Sequence, residues 1–157
     1  MEAGKYRADG QKPFDAINKN MSKKISKVDE ASKQLIMDVL GEKQTKGFDI
    51  DSIYYTKNGW IVLEFLKCDS YSPYKSHPNR YWKRAFRKVI SLWELTKKLE
   101  GRLFWITYEV PYKRFSIIEF LEIDLKYGVT VEKRIDTDFD GFKDWFHKLN
   151  DSAEPLW

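Results

Sequence analysis

Apolar residues crowd most densely into Trp60–Phe65 (WIVLEF) and Leu103–Val110 (LFWITYEV). Runs this rich in β-branched and aromatic residues fit strands buried on both faces. Before the first run come Ile50, Ile53, Tyr54 and Tyr55, and Asn58-Gly59 lies between. That dipeptide is the strongest short-range hairpin signal, because both residues tolerate positive φ. Phe48–Asp69 therefore predicts a β-hairpin whose second strand lies in the middle of a sheet. Helical spacing appears in three places. Val28, Ala31, Leu35, Ile36, Val39 and Leu40 form one stripe, with Ser26 and Asp29 as a capping box and Gly41 as the stop. Tyr81, Trp82, Ala85, Phe86, Val89, Ile90, Trp93 and Leu99 mark a long helix over Arg80–Glu100, closed by Gly101. Phe139, Phe142, Trp145, Phe146 and Leu149 mark a last helix, Phe139–Leu149, capped by Asp138. Strands over Phe115–Leu125 and Val129–Ile135 flank Tyr127-Gly128. The order αββαβββα predicts an α/β fold: a central mixed β-sheet flanked by helices, with the long helix crossing over to a neighbouring strand.

Glu64 breaks the apolar run of the second strand. A carboxylate removed from water needs a cation, a metal or a proton. A two-residue turn at Asn58-Gly59 makes Asp51 its diagonal neighbour on the same face, about 7–8 Å away at Cα. A four-residue turn places Asp51 directly opposite. Both registers bring two carboxylates together, with Asp49 one step further out on the same face. Such a group suits a hard, oxygen-seeking cation, Mg²⁺ or Mn²⁺. The alternative is a Glu64 paired with Arg84 or Lys88, beside solvated Asp49 and Asp51.

Charge sharpens the picture in one place. The 157 residues carry a net charge of +4. Arg80, Lys83, Arg84, Arg87 and Lys88 fall on one side of the long helix with no acid between them. A solvated face usually mixes signs, so these five are candidates for contact with DNA phosphates. Residues 1–25 read as a basic, mobile arm, and residues 26–157 as one domain. A lone cysteine, Cys68, excludes an internal disulfide and points to a reducing, cytoplasmic setting. No apolar run reaches the length of a membrane span. Zinc-ligand spacing, a Walker loop and a Gly-x-Gly-x-x-Gly fingerprint are all missing.

An acid, a tight turn, then an apolar strand ending in Glu and Lys resembles the core of the PD-(D/E)XK nucleases, the restriction-endonuclease-like fold. Asp51 and Glu64 stand thirteen residues apart, a usual interval for that motif. The family pattern is Asp, then Glu-x-Lys. Here Lys67 follows Glu64-Phe65-Leu66, one place late, and Ile50 stands where the family has Pro. A β-bulge at Phe65–Leu66 would turn Lys67 toward Glu64; without one, the lysine role is vacant or filled from a helix. The resemblance implies a Mg²⁺-dependent DNA endonuclease. Asp51 and Glu64 would hold the metal, Lys67 would assist, and Glu30 (or Asp29) would contribute an acid from the preceding helix. Homodimers are common in the family. The rival expectation is a non-catalytic member that binds nucleic acid or another protein.

Overall fold

The computed structural model describes residues 30–154. The chain divides after Thr45 into two units, so the first helix is grouped apart from the sheet. That helix, α1 (Ala31–Leu40), has Glu30 at its N-cap and leaves Leu35, Ile36 and Val39 exposed. The basic arm, Asp29 and the capping box at Ser26 lie outside the described residues.

The second unit is built on a five-stranded mixed sheet in the order β1-β2-β3-β4-β5. Its strands are Ser52–Thr56, Gly59–Lys67, Arg102–Tyr108, Arg114–Asp124 and Gly128–Asp138. Only β2 and β3 pair in parallel, and α2 (Trp82–Lys98) joins them. The helix α3 (Phe139–Ser152) closes the fold. The element order is the expected αββαβββα.

Period-two alternation along β2 and β3 sorts the core onto two faces. Val62, Leu103 and Trp105 pack with Ala85, Val89 and Leu92 of α2. Ile61, Leu63, Phe104 and Ile106 pack with Leu149 of α3, and Phe142, Trp145 and Phe146 border them. Both strands are therefore covered on both sides, as their apolar runs require. β5 extends three residues beyond the expected end because Asp136, Thr137 and Asp138 continue to pair with β4. Asp138 then caps α3, its carboxylate accepting the Gly141 N–H at 2.9 Å.

Two turns differ from expectation. Thr56 pairs with Gly59, so the hairpin turns on Lys57-Asn58 and not on Asn58-Gly59. Gly59 takes φ +106° while Asn58 stays at negative φ, which places the glycine at the first paired position after the turn and not inside it. At the end of α2 it is Glu100 that adopts the left-handed conformation, φ 53°. Gly101 is needed for a different reason: a Cβ there would lie 2.6 Å from the Trp60 carbonyl oxygen.

Candidate functional site

The hairpin register decides where Asp51 points. Ser52 faces Leu63, so the next position outward sets Asp51 against Glu64, the directly opposed register of the two considered. Asp51 sits just before β1 and is fixed by the strand it faces, its Oδ2 accepting the Phe65 N–H at 2.8 Å. Glu64 lies on the α2 face of β2 and is only 9% exposed. Its Oε1 meets the Lys88 ammonium at 3.2 Å. Its Oε2 is buried and finds no hydrogen-bond partner among the described residues. Burial, and then the adjacent Asp51 charge, push its pKa up to about 7. Lys88 opposes the shift without cancelling it.

Lys88 was a candidate both for phosphate contact and for pairing with Glu64. The second holds: it is half-buried at the edge of the α2 apolar face, where its ammonium reaches both Glu64 and the Asp49 carbonyl oxygen. The bulge expected at Phe65–Leu66 is absent: Glu64 to Lys67 pair in unbroken sequence with Trp105 to Tyr108. Without a bulge the strand does not turn Lys67 toward Glu64; the lysine stands exposed at the strand end, on the rim of the cleft that Glu64 also lines, and pairs with Asp69 at 3.2 Å. Lys67 is thus not the lysine of this site; a helix supplies one. Glu30 lies in the first unit, pairing with Lys33 at 3.6 Å. Asp49 adds its carbonyl to Lys88 but no third carboxylate, and no group of three or more potential ligands forms among the described residues.

Arg80, Lys83, Arg84 and Arg87 are exposed, and none pairs with a carboxylate among the described residues. Arg84 stands over the Tyr81 ring, 5.8 Å from its centroid. Between this basic face and the sheet lies a cleft of about 610 Å³, lined by Glu64, Tyr81, Arg84, Lys88 and Trp105 among others. Tyr81 and Trp105 were read only as core residues. The one available signal was the pairing of β2 with β3, which sets Trp105 beside Glu64.

Compared with known protein families, curated proteins and solved structures, the chain matches none. No helix among the described residues is long and apolar enough to cross a membrane. The site therefore rests on its own geometry.

That geometry has a pH signature. Glu64 ionises near 4.5 when unfolded and near 7 when folded. The folded state holds the extra proton between those values, so stability of the metal-free protein falls as pH rises from about 4.5 to about 7, then levels off. After allowance for solvent screening the loss is about 1–3 kcal/mol. Subtracting a Glu64→Gln profile cancels the other groups. Urea melts across this range should show the difference curve descending; a flat one removes the shift.

Proposed function

We propose that this chain is a divalent-metal-dependent nuclease of restriction-endonuclease-like fold that cleaves DNA. One observation carries the reading. Two opposed carboxylates, Asp51 and Glu64, stand under a lysine from the crossover helix, and one buried Glu64 oxygen has no hydrogen-bond partner among the described residues. Fold alone would not suffice.

The residues fit a cation. Burial, and then the adjacent Asp51 charge, raise the Glu64 pKa to about 7, and a bound cation would favour the ionised pair. Mg²⁺ is commonly held by one or two carboxylates, with waters and substrate phosphates completing its shell. Asp51 and Glu64 are the pair that would hold it. When bound, the metal would stabilise charge on the scissile phosphate and acidify an attacking water. The chain does the rest. The Phe65 N–H fixes Asp51. Lys88 holds Oε1 of Glu64 and leaves Oε2 free. Its ammonium would also lend a positive charge to the phosphoryl group as negative charge builds up on it. Cleavage of plasmid and oligonucleotide DNA in Mg²⁺ or Mn²⁺, with Asp51→Asn as control, tests the reading. Equal cleavage by both proteins would sink it.

A second reading has its own observation. Lys88 already supplies Glu64 with a cation, and no third acid joins the pair among the described residues. On that reading the chain binds DNA without cutting it, and Glu64 anchors α2.

Both readings share the basic face. Each phosphate neutralised on duplex DNA contributes about −0.9 to the slope of log affinity against log salt. Changing Arg80, Lys83 and Arg87 together to Ala should flatten the slope by about 2.7. Fluorescence anisotropy at several salt concentrations measures it, and an unchanged slope would exclude this face.

A further inference from the structure

Four buried side-chain polar atoms lack a hydrogen-bond partner among the described residues, and three belong to residues lining the same cleft. They are Glu64 Oε2, the Tyr81 hydroxyl and Trp105 Nε1. Such atoms are rare in folded proteins, because a buried donor left unpaired costs about 1–3 kcal/mol. Their gathering in one place asks for a ligand. We infer that the Tyr81 hydroxyl, the Trp105 indole N–H and the Arg84 guanidinium form a seat for a backbone phosphate of the nucleic acid, beside the carboxylate pair.

The chemistry follows from the atoms. An indole N–H can only donate, and Trp105 is 4% exposed. Burial raises the Tyr81 pKa, so its hydroxyl keeps its proton and donates as well. The Trp105 N–H and Ser76 approach the Tyr81 oxygen, but neither contact is a well-formed hydrogen bond, so both donors would be better satisfied by an oxyanion. The charge of the lining agrees. Lys67 is paired with Asp69 and Lys88 with Glu64, which leaves Arg84 as the spare cation. Charge-assisted bonds to phosphate are the strong ones. Trp105 is fixed for the task, stacked on Phe120 with ring centroids 5.9 Å apart and set beside Glu64 by the β2–β3 register.

This inference rests on the nucleic-acid reading for the source of the phosphate. It is tested on the full chain in EDTA, where cleavage does not intrude. Indole N–H resonances of ¹⁵N-labelled protein are followed while inorganic phosphate, and separately a short single-stranded DNA, are added. One indole signal should move with both, and that signal should be missing from Trp105→Phe. Tyr81→Phe and Trp105→Phe should each weaken oligonucleotide binding about tenfold, the loss of one hydrogen bond to a charged group. The melting temperature of Tyr81→Phe should not fall, since it removes only an unpaired buried donor; Trp105→Phe also leaves a cavity beside Phe120. If Trp105→Phe lowers the melting temperature, Tyr81→Phe and the wild-type titration still decide. A Trp105 signal indifferent to both probes, with Tyr81→Phe binding as tightly as wild type, overturns the seat. A response to inorganic phosphate but not to DNA overturns its assignment to nucleic acid. Cleavage in Mn²⁺, assayed separately, judges the nuclease reading: the seat stands if Trp105 responds while no DNA is cut.

Discussion

With Mn²⁺ at about a hundred times its dissociation constant, the wild-type protein should melt about 10 °C higher than in EDTA. The figure comes from mass action: a ligand at that excess stabilises by about 2.7 kcal/mol, and a domain of this size gains about 3–4 °C per kcal/mol. Glu64→Gln and Asp51→Asn should lose this shift together with all DNA cleavage, because each leaves a single carboxylate. Above pH 7, and without metal, Glu64→Gln should melt no lower than wild type. Burial and the Asp51 charge already outweigh the attraction of Lys88 for the ionised Glu64, so removing that charge removes a net cost. Lys88 keeps the Asp49 carbonyl as a partner. A purely structural salt bridge gives the opposite pattern. Removing one partner of a fully buried pair costs about 3–5 kcal/mol, and Mn²⁺ would then shift nothing. Scanning calorimetry of wild type and both variants, with and without Mn²⁺, separates the two. A destabilised Glu64→Gln together with no metal response in the wild type would make Glu64 an anchor and nothing more.

The sheet was legible because its signals are local. Trp60–Phe65 and Leu103–Val110 are too apolar for half-exposed strands, and both lie covered on two faces. The pairing of Asp51 with Glu64 was legible too, since every even-length turn gave them one face. The turn itself was misplaced by one residue. A glycine accepts positive φ equally inside a turn and at the paired position after it, and sequence does not distinguish the two. Lys67 was misread for a different reason. Matching a motif by spacing assumes that its lysine comes from the same strand, whereas Lys88 reaches Glu64 from α2. The alternative of a Glu64 paired with Arg84 or Lys88 did name this partner, but no local pattern chose it over phosphate contact. The Tyr81–Trp105 pair depends on how a crossover helix seats on the sheet, and no local pattern encodes that.

Lys88→Ala should lower the rate of DNA cleavage about 10²–10³-fold while leaving oligonucleotide affinity within about twofold, the size of loss seen when one donor to a developing oxyanion is removed. Affinity should hold because four exposed cations, Arg80, Lys83, Arg84 and Arg87, remain on the same helix. Stability should fall by about 1–2 kcal/mol, less than for a fully buried pair, since Glu64 can take up a proton in place of its lost cation. That proton has a readout. Without Lys88, Glu64 keeps both influences that raise its pKa and loses the main one that lowers it. Its titration should therefore move above 7, and Mn²⁺ should bind more weakly at pH 7 than at pH 9, since the metal must displace the proton. Lys88→Arg should restore stability, because a guanidinium also pairs with Glu64. It should restore cleavage only in part, because the planar fork cannot place its charge where the compact ammonium does. Single-turnover cleavage rates and Mn²⁺ titrations of the three proteins test this. An alanine variant that cuts as fast as wild type would return Lys88 to the structural role of tying α2 to the hairpin.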